Sequence, residues 1–340
     1  MLSILSAVAI SGVLVAAEPQ PVTLIPSHRV GDVIRCAMLT TMSMDLPEYD
    51  EPFLKNFMQD SLIVNAQDVT WTISRVEPDF SVIQQKGSAN KSAAAQPQTT
   101  MTRIMLMAYD SFSEGLDFRV SRDGQIEDVL NAGEVTERFQ KVANAMKKEM
   151  APQLEKMDAL SKQIDGEASS AVALDIAFNS PQMREMAINR YIGIDLFPGA
   201  WVWGKTFTPG EPLTENAPAS SMVGMSSFVS SVGNRTATLY VVNEYEVRVT
   251  WTTTMTVKAK ETKLPEVDLS ALPQKARDEH NASMDKIKQM QEPQSFEEIG
   301  DMRLDRRTGF PIAGTVTTRG GNSSTRLTTS VVYSAAATTK

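Results

Sequence analysis

Cysteine is nearly missing from this chain: Cys36 is the single one in 340 residues. An internal disulfide is therefore excluded, and so is a zinc site built on several thiolates. Histidine is almost as scarce, with only His28 and His280. That leaves few carriers for metal or proton chemistry. Basic residues are outnumbered, 33 against 41, for a net charge of −8. A phosphate backbone needs a basic face, so nucleic acid is not expected as a partner. No cofactor is expected either. Charged residues at 22% and hydrophobic residues at 42% are ordinary globular values, which excludes a wholly disordered chain.

What is present begins with an apolar leader. Leu2 to Ala17 carries no Asp, Glu, Lys or Arg, and Val15-Ala16-Ala17 fits an A-x-A-like cleavage site. Glu18-Pro19-Gln20-Pro21 then breaks any helix. Residues 1–17 read as a secretory signal peptide cut after Ala17, which places the mature chain in the periplasm or outside the cell. At roughly 15 apolar residues the leader is short of the ~20 that a membrane span needs. No later apolar run is longer, so no integral span is expected after cleavage.

Most of the remainder alternates. From Tyr245 to Val257 the odd positions are Tyr, Val, Val, Trp, Thr, Met and Val, while the even ones are Glu, Arg and four Thr. A period of two marks a strand with one apolar and one polar face. Asp123-Gly124 between two alternating runs signals a hairpin. Asp305 to Gly309 reads as another turn, with the Asp305, Arg306, Arg307 cluster as turn chemistry rather than a site. Further strands are expected at Asp32–Met44, Val69–Val76, Phe80–Gln85, Thr102–Tyr109, Ala237–Asn243, Asp301–Leu304, Pro311–Thr318 and Arg326–Tyr333. Gly87–Thr100 and Glu211–Ser221 read as loops.

Two segments break the period. From Glu134 to Ile164, apolar residues at spacings of three and four include Phe139, Val142, Met146, Met150 and Met157, an amphipathic helix pattern. Residues of about 133–192 are read as a helical insert, and those of about 270–292 as a polar, exposed helix. Strands before and after such an insert predict an α+β fold, with residues 18–340 as a single domain. Its core would be a strongly curved antiparallel sheet, a half-barrel or open barrel, with the insert lying across its concave side. Phe139, Val142, Met146, Met150, Met157, Trp251 and Met255 are the candidate apolar lining between them. Nineteen methionines suit an adaptable apolar surface.

Gly199 to Thr206 satisfies the phosphate-loop pattern G-x-x-x-x-G-K-T. Thr208-Pro209-Gly210 follows and will not start the helix this motif needs, so the segment is read as a turn entering a strand, with Trp201 and Trp203 on a shared face. No G-x-S-x-G occurs, both histidines are expected at the surface, and no catalytic residue or metal ligand is assigned. Asn90, Asn234, Asn281 and Asn322 open N-x-S/T triplets that a Thr/Ser-rich chain produces by chance.

Val30-Gly31-Asp32-Val33-Ile34-Arg35, Gly115–Asn131, Gly300–Thr318 and the Gly-Lys-Thr-Phe segment from Gly204 together resemble a β-rich family of secreted bacterial proteins with no assigned function. The layout is also similar, more loosely, to the half-barrel carriers of lipoproteins and lipids in the Gram-negative envelope. That resemblance implies helices over an apolar concave sheet, and it transfers no binding residue. The expected function is a non-enzymatic envelope protein that binds a lipid, another apolar ligand or an envelope protein between sheet and helices. A structural subunit of an envelope assembly and a carboxylate-based hydrolase are the alternatives.

Overall fold

A computed structural model describes residues 20–45, 62–88, 114–124, 126–138, 140–142, 144–145, 147–148, 151, 199–216, 229–259, 274, 293–321 and 326–335. The leader, the strand expected at Thr102–Tyr109 and almost all of the 270–292 segment lie outside these residues.

Among the described residues thirteen strands run in chain order: β1 Val22–Thr23, β2 Val33–Asp45, β3 Leu62–Val76, β4 Phe80–Gly87, β5 Leu116–Ser121, β6 Ile126–Val129, β7 Thr206–Phe207, β8 Pro212–Asn216, β9 Val229–Val241, β10 Glu246–Ala259, β11 Gln294–Asp305, β12 Pro311–Gly321 and β13 Arg326–Ala335. Eleven form one antiparallel sheet in the order β6-β5-β4-β3-β2-β13-β12-β11-β10-β9-β8, and β1 pairs with β7 in a second, two-stranded one. The order is a meander broken once, where β13 inserts between β12 and β2 and joins the two halves.

Alternation decides which side is buried. On β10, Val247, Val249, Trp251, Thr253, Met255 and Val257 are buried, while Arg248, Thr252, Thr254 and Thr256 are exposed. The outer face of β10 and β11 is held by Arg248 on both carboxylate oxygens of Asp301 (2.8 and 2.6 Å) and by Arg303 on Glu246. The Arg248 contact holds the Asp301 carboxyl below its ordinary range. This is a surface built for water.

The expectation of an α+β fold is overturned. Strands account for 64% of the structure, and the described helix is short and does not cover a face of the sheet. Helical residues run within 132–151, with Val135 in the core and Arg138 donating to the Gly115 carbonyl beside the start of β5. The amphipathic stripe was real at its start, but its first turns dock at the β5–β6 corner. Other segments hide the apolar face. Residues 22–24, the 199–207 segment and the turn after β11 contribute Leu24, Val202, Trp203, Phe207 and Phe310 to one cluster with inward residues of β2 to β5 and β9 to β13.

The 199–207 segment is a 3-10 turn, Ala200–Val202, entering β7. Its two indoles do not share a face as expected. Trp203 packs against Phe310 (ring centroids 6.1 Å) and His28 (5.4 Å), while Trp201 packs against Trp251 (5.6 Å). Phe310 also meets Trp71 at 5.3 Å. The turn that delivers Phe310 is capped by the Asp305 carboxylate, which accepts from the Thr308 amide (2.6 Å) and hydroxyl (2.8 Å). Gly309 takes φ +74°, and a Cβ there would lie 2.2 Å from the Trp203 ring, so only glycine fits. Arg307 ties this turn to Asp32 at 2.6 Å. Cys36 is fully buried on β2, and burial pushes its thiol pKa up to about 11.

Phe310→Ala should cost about 3–5 kcal/mol, the range for emptying a large buried aromatic site, read as a lower urea midpoint. His28 was expected at the surface but is partly buried, and burial lowers its pKa below 6.5. The unfolded chain therefore binds a proton that the folded one resists. Stability should fall as pH drops below 6.5, and His28→Gln should flatten that part of the urea-midpoint-against-pH curve.

Candidate functional site

Six inward residues form one polar row across six neighbouring strands. Glu215 on β8 is opposite Arg235 on β9, which is opposite Thr253 on β10. Thr253 is opposite Glu298 on β11, then follow Thr318 on β12 and Thr329 on β13. Arg235 is 4% exposed and Glu298 is fully buried. Isolated charges could not stay there, because removing an ion from water costs several kcal/mol unless partners replace the solvent.

The partners are present. The Arg235 guanidinium donates to Thr253 Oγ1 (3.2 Å) and to Glu215 (3.3 Å), and its flat face lies 4.1 Å from the Trp201 ring centroid. Lys205 reaches the other Glu215 oxygen. Glu298 accepts from the Trp251 indole N–H at 2.9 Å. Desolvation lowers the Arg235 pKa, and the charges of Glu298 and Glu215 oppose that shift. Trp251 can reach Glu298 because Gly300 lies beneath its ring; a Cβ there would sit 2.2 Å from it.

The row divides the interior. On one side lies the large core containing Trp251, Ala237, Val316 and Val331. On the other lies a separate small cluster of Met255, Val257 and Phe296. The next row along the strands reads Gly233, Met255, Phe296, Gly320. The Phe296 ring fills the place of a Gly320 side chain, since a Cβ there would meet it at 2.3 Å. A cleft of about 590 Å³ over these strands takes its lining mostly from the outward positions Val232, Asn234, Thr254, Thr256, Ser295, Glu297 and Arg319, while the Met255 and Phe296 side chains are buried on the inward side.

The sequence-derived lining is dispersed. Met255 is buried in the small cluster with Val257 and Phe296, whereas Trp251 belongs to the large core on the far side of the polar row. Val142 is buried on the helix near β5, and Phe139, Met146, Met150 and Met157 lie outside the described side chains. Arg235, Glu298 and Glu215 escaped sequence reading. The available signal was a charged residue at an apolar phase of an alternating strand: Arg235 two positions before Ala237, and Glu298 two after Phe296. Among the described residues, no group of three His, Cys, Asp or Glu is placed to hold a metal ion.

Arg235→Met should cost about 3–5 kcal/mol, because it leaves Glu298 buried without its countercharge. Adding Glu298→Gln to that variant should recover part of the loss. A urea double-mutant cycle measures the coupling, and strictly additive effects would contradict the pairing.

No family model matches the chain, and no curated protein matches it. Among solved structures, the attachment invasion locus protein Ail of Yersinia pestis aligns with 90% of this chain and 97% of its own, at 5% identity and a TM-score of 0.16. The COG4313 outer membrane channel of Pseudomonas putida F1 aligns with 91% and 97%, at 6% identity and a TM-score of 0.15. Both are outer-membrane β-barrel proteins. At such scores the likeness carries no argument about fold or function. The faces of β10 and β11 also run opposite to a membrane barrel wall, which is apolar outside and polar within. Here the ion pairs and threonines face out and the valines and tryptophan face in.

Proposed function

We propose that this chain is a binding protein of the cell envelope that takes an apolar ligand, or an apolar segment of a partner, at the outward cleft of Val232, Asn234, Glu297 and Arg319. The envelope address rests on the leader-like residues 1–17. The single observation that carries the binding reading is the exposure of Val232, 78% open beside the cross-strand pair Glu297 and Arg319 at that cleft. An apolar side chain set among charged and amide groups in a concave surface suits a ligand that is apolar at one end and polar at the other.

A volume of about 590 Å³ lies within the range of small-molecule sites, and one acyl chain would fit it. The polar positions Asn234, Glu297 and Arg319 would face the polar end of an amphipathic ligand. The helical lid of the sequence-level expectation has no part in this reading.

The fluorescent apolar probe N-phenyl-1-naphthylamine should bind at about one per chain. Val232→Asp, at an exposed position of the cleft, should weaken that binding at least tenfold with the urea midpoint little changed. Equal binding by the variant would refute the assignment of the cleft. Protein purified from its own compartment with one stoichiometric protein partner and no probe binding would support the structural-subunit alternative instead.

A further inference from the structure

At the opposite end of the sheet, a second cavity of about 270 Å³ is lined by His28, Ser81, Arg122 and Trp203, among others. Ser81 opens the buried face of β4 next to the β3–β4 turn, and His28 sits on the N-terminal segment that crosses it. His28 Nε2 lies 2.9 Å from the Thr308 carbonyl oxygen, and Nδ1 lies 2.8 Å from Ser81 Oγ. A carbonyl can only accept, so Nε2 carries the ring proton. In the neutral ring Nδ1 is then the acceptor, and the Ser81 hydroxyl donates to it.

The ring is fixed from three directions. Thr308 stands in the Asp305-capped turn, and the Trp203 and Phe310 rings pack on the imidazole at 5.4 and 5.7 Å. This is the arrangement of an activated nucleophile: a hydroxyl, a base within hydrogen-bond reach, and a third group that sets the base's tautomer. Burial favours the neutral ring that a general base requires. Asp32 and Arg307 behind the Thr308 turn tune its charge in opposite directions, and Glu77 and Arg122 are the other charged groups on the cavity lining.

We infer that Ser81 and His28 form a nucleophilic dyad that hydrolyses small, short-chain acyl esters entering this cavity. The inference is independent of the cleft beside Val232. Ser81 Oγ attacks the ester carbonyl carbon, forming the Oγ–C bond, while its proton passes to His28 Nδ1. The developing oxyanion faces Arg122, the one lysine or arginine among the lining residues. The C–O bond to the alcohol breaks, and the alcohol oxygen takes the proton from Nδ1. Water then attacks the acyl-Ser81 carbon, gives its proton to Nδ1, and the acid leaves as Ser81 recovers that proton. No oxidant, reductant or metal enters the balance. The cavity volume admits a short acyl group and excludes a long lipid chain.

The test uses the full chain with a fluorophosphonate probe and p-nitrophenyl acetate. Wild-type protein should be labelled at Ser81, located by peptide mass spectrometry, and should hydrolyse the ester. Ser81→Ala should lose both. His28→Gln should slow labelling about 100-fold or more, the scale of one positioned base. As pH is raised, the wild-type labelling rate should rise through a single deprotonation below pH 6.5 and then level, a readout that needs no variant to fold. Folded wild-type protein that stays unlabelled, label on a different serine, or a labelling rate that ignores pH through that range would each overturn the dyad.

Discussion

Every long strand here carries an oily edge and a wet edge, and an eleven-strand sheet made of them must hide one whole side from water. This requirement organises the rest. Burying apolar surface at roughly 25 cal/mol per Å² is the main favourable term in folding, and a sheet cannot collect it with its inner side open. The protein does not solve the problem with a layer of helices. It brings irregular straps across the inner side, the segment before β2, the 199–207 turn and the turn after β11. Phe310, Trp203 and Trp71 meet where those straps converge. The cap on Thr308 and the small size of Gly309 are local details whose purpose is to deliver Phe310 to that point.

The polar row has a different role. A one-residue slip of β9 or β11 would turn Arg235 or Glu298 to the outside and present an outer residue to the core. Because each charge is matched only in the observed register, the row ties the six strands to one another laterally. It also separates the large core from the small buried cluster of Met255, Val257 and Phe296. The two candidate sites lie at opposite ends of the strands, one on the outer face beyond the row and one beside the aromatic straps.

Much of the sheet was legible in the sequence, and the parts that were not share a cause. The face of β10 could be read residue by residue because Val, Trp and Met alternate with Thr and Arg. The hairpin at Asp123-Gly124 and the turn at Asp305 to Gly309 were legible because their residues have few other uses. The starts of β3, β9 and β11 were missed. In each, a polar residue stands at an inward position, Gln67, Arg235 and Glu298, and breaks the apolar count. Strand β8 was read as a loop because Pro212 opens it and its inward Glu215 serves an ion pair rather than a core. The helical cover was an error of inference from a real pattern. An amphipathic stripe says that a helix has something to pack on, and leaves open which surface that is. His28 and Ser81 lie 53 positions apart in sequence, and only the fold brings them together.

The junction of β2 with β13 sets an order of events. Residues 33–45 pair with residues 62–76 on one side and with residues 326–335 on the other, so the middle of the sheet is stitched by a contact such as Thr41 to Ser330, 289 positions apart. Until residues 326–335 arrive, β2 and β12 each present a bare row of amides and carbonyls to whatever is nearby. A newly made chain therefore passes through a stage with two open seams at its centre, slow to close because the joining ends are so distant along the chain. Chaperoning through that interval is a demand that the topology itself imposes.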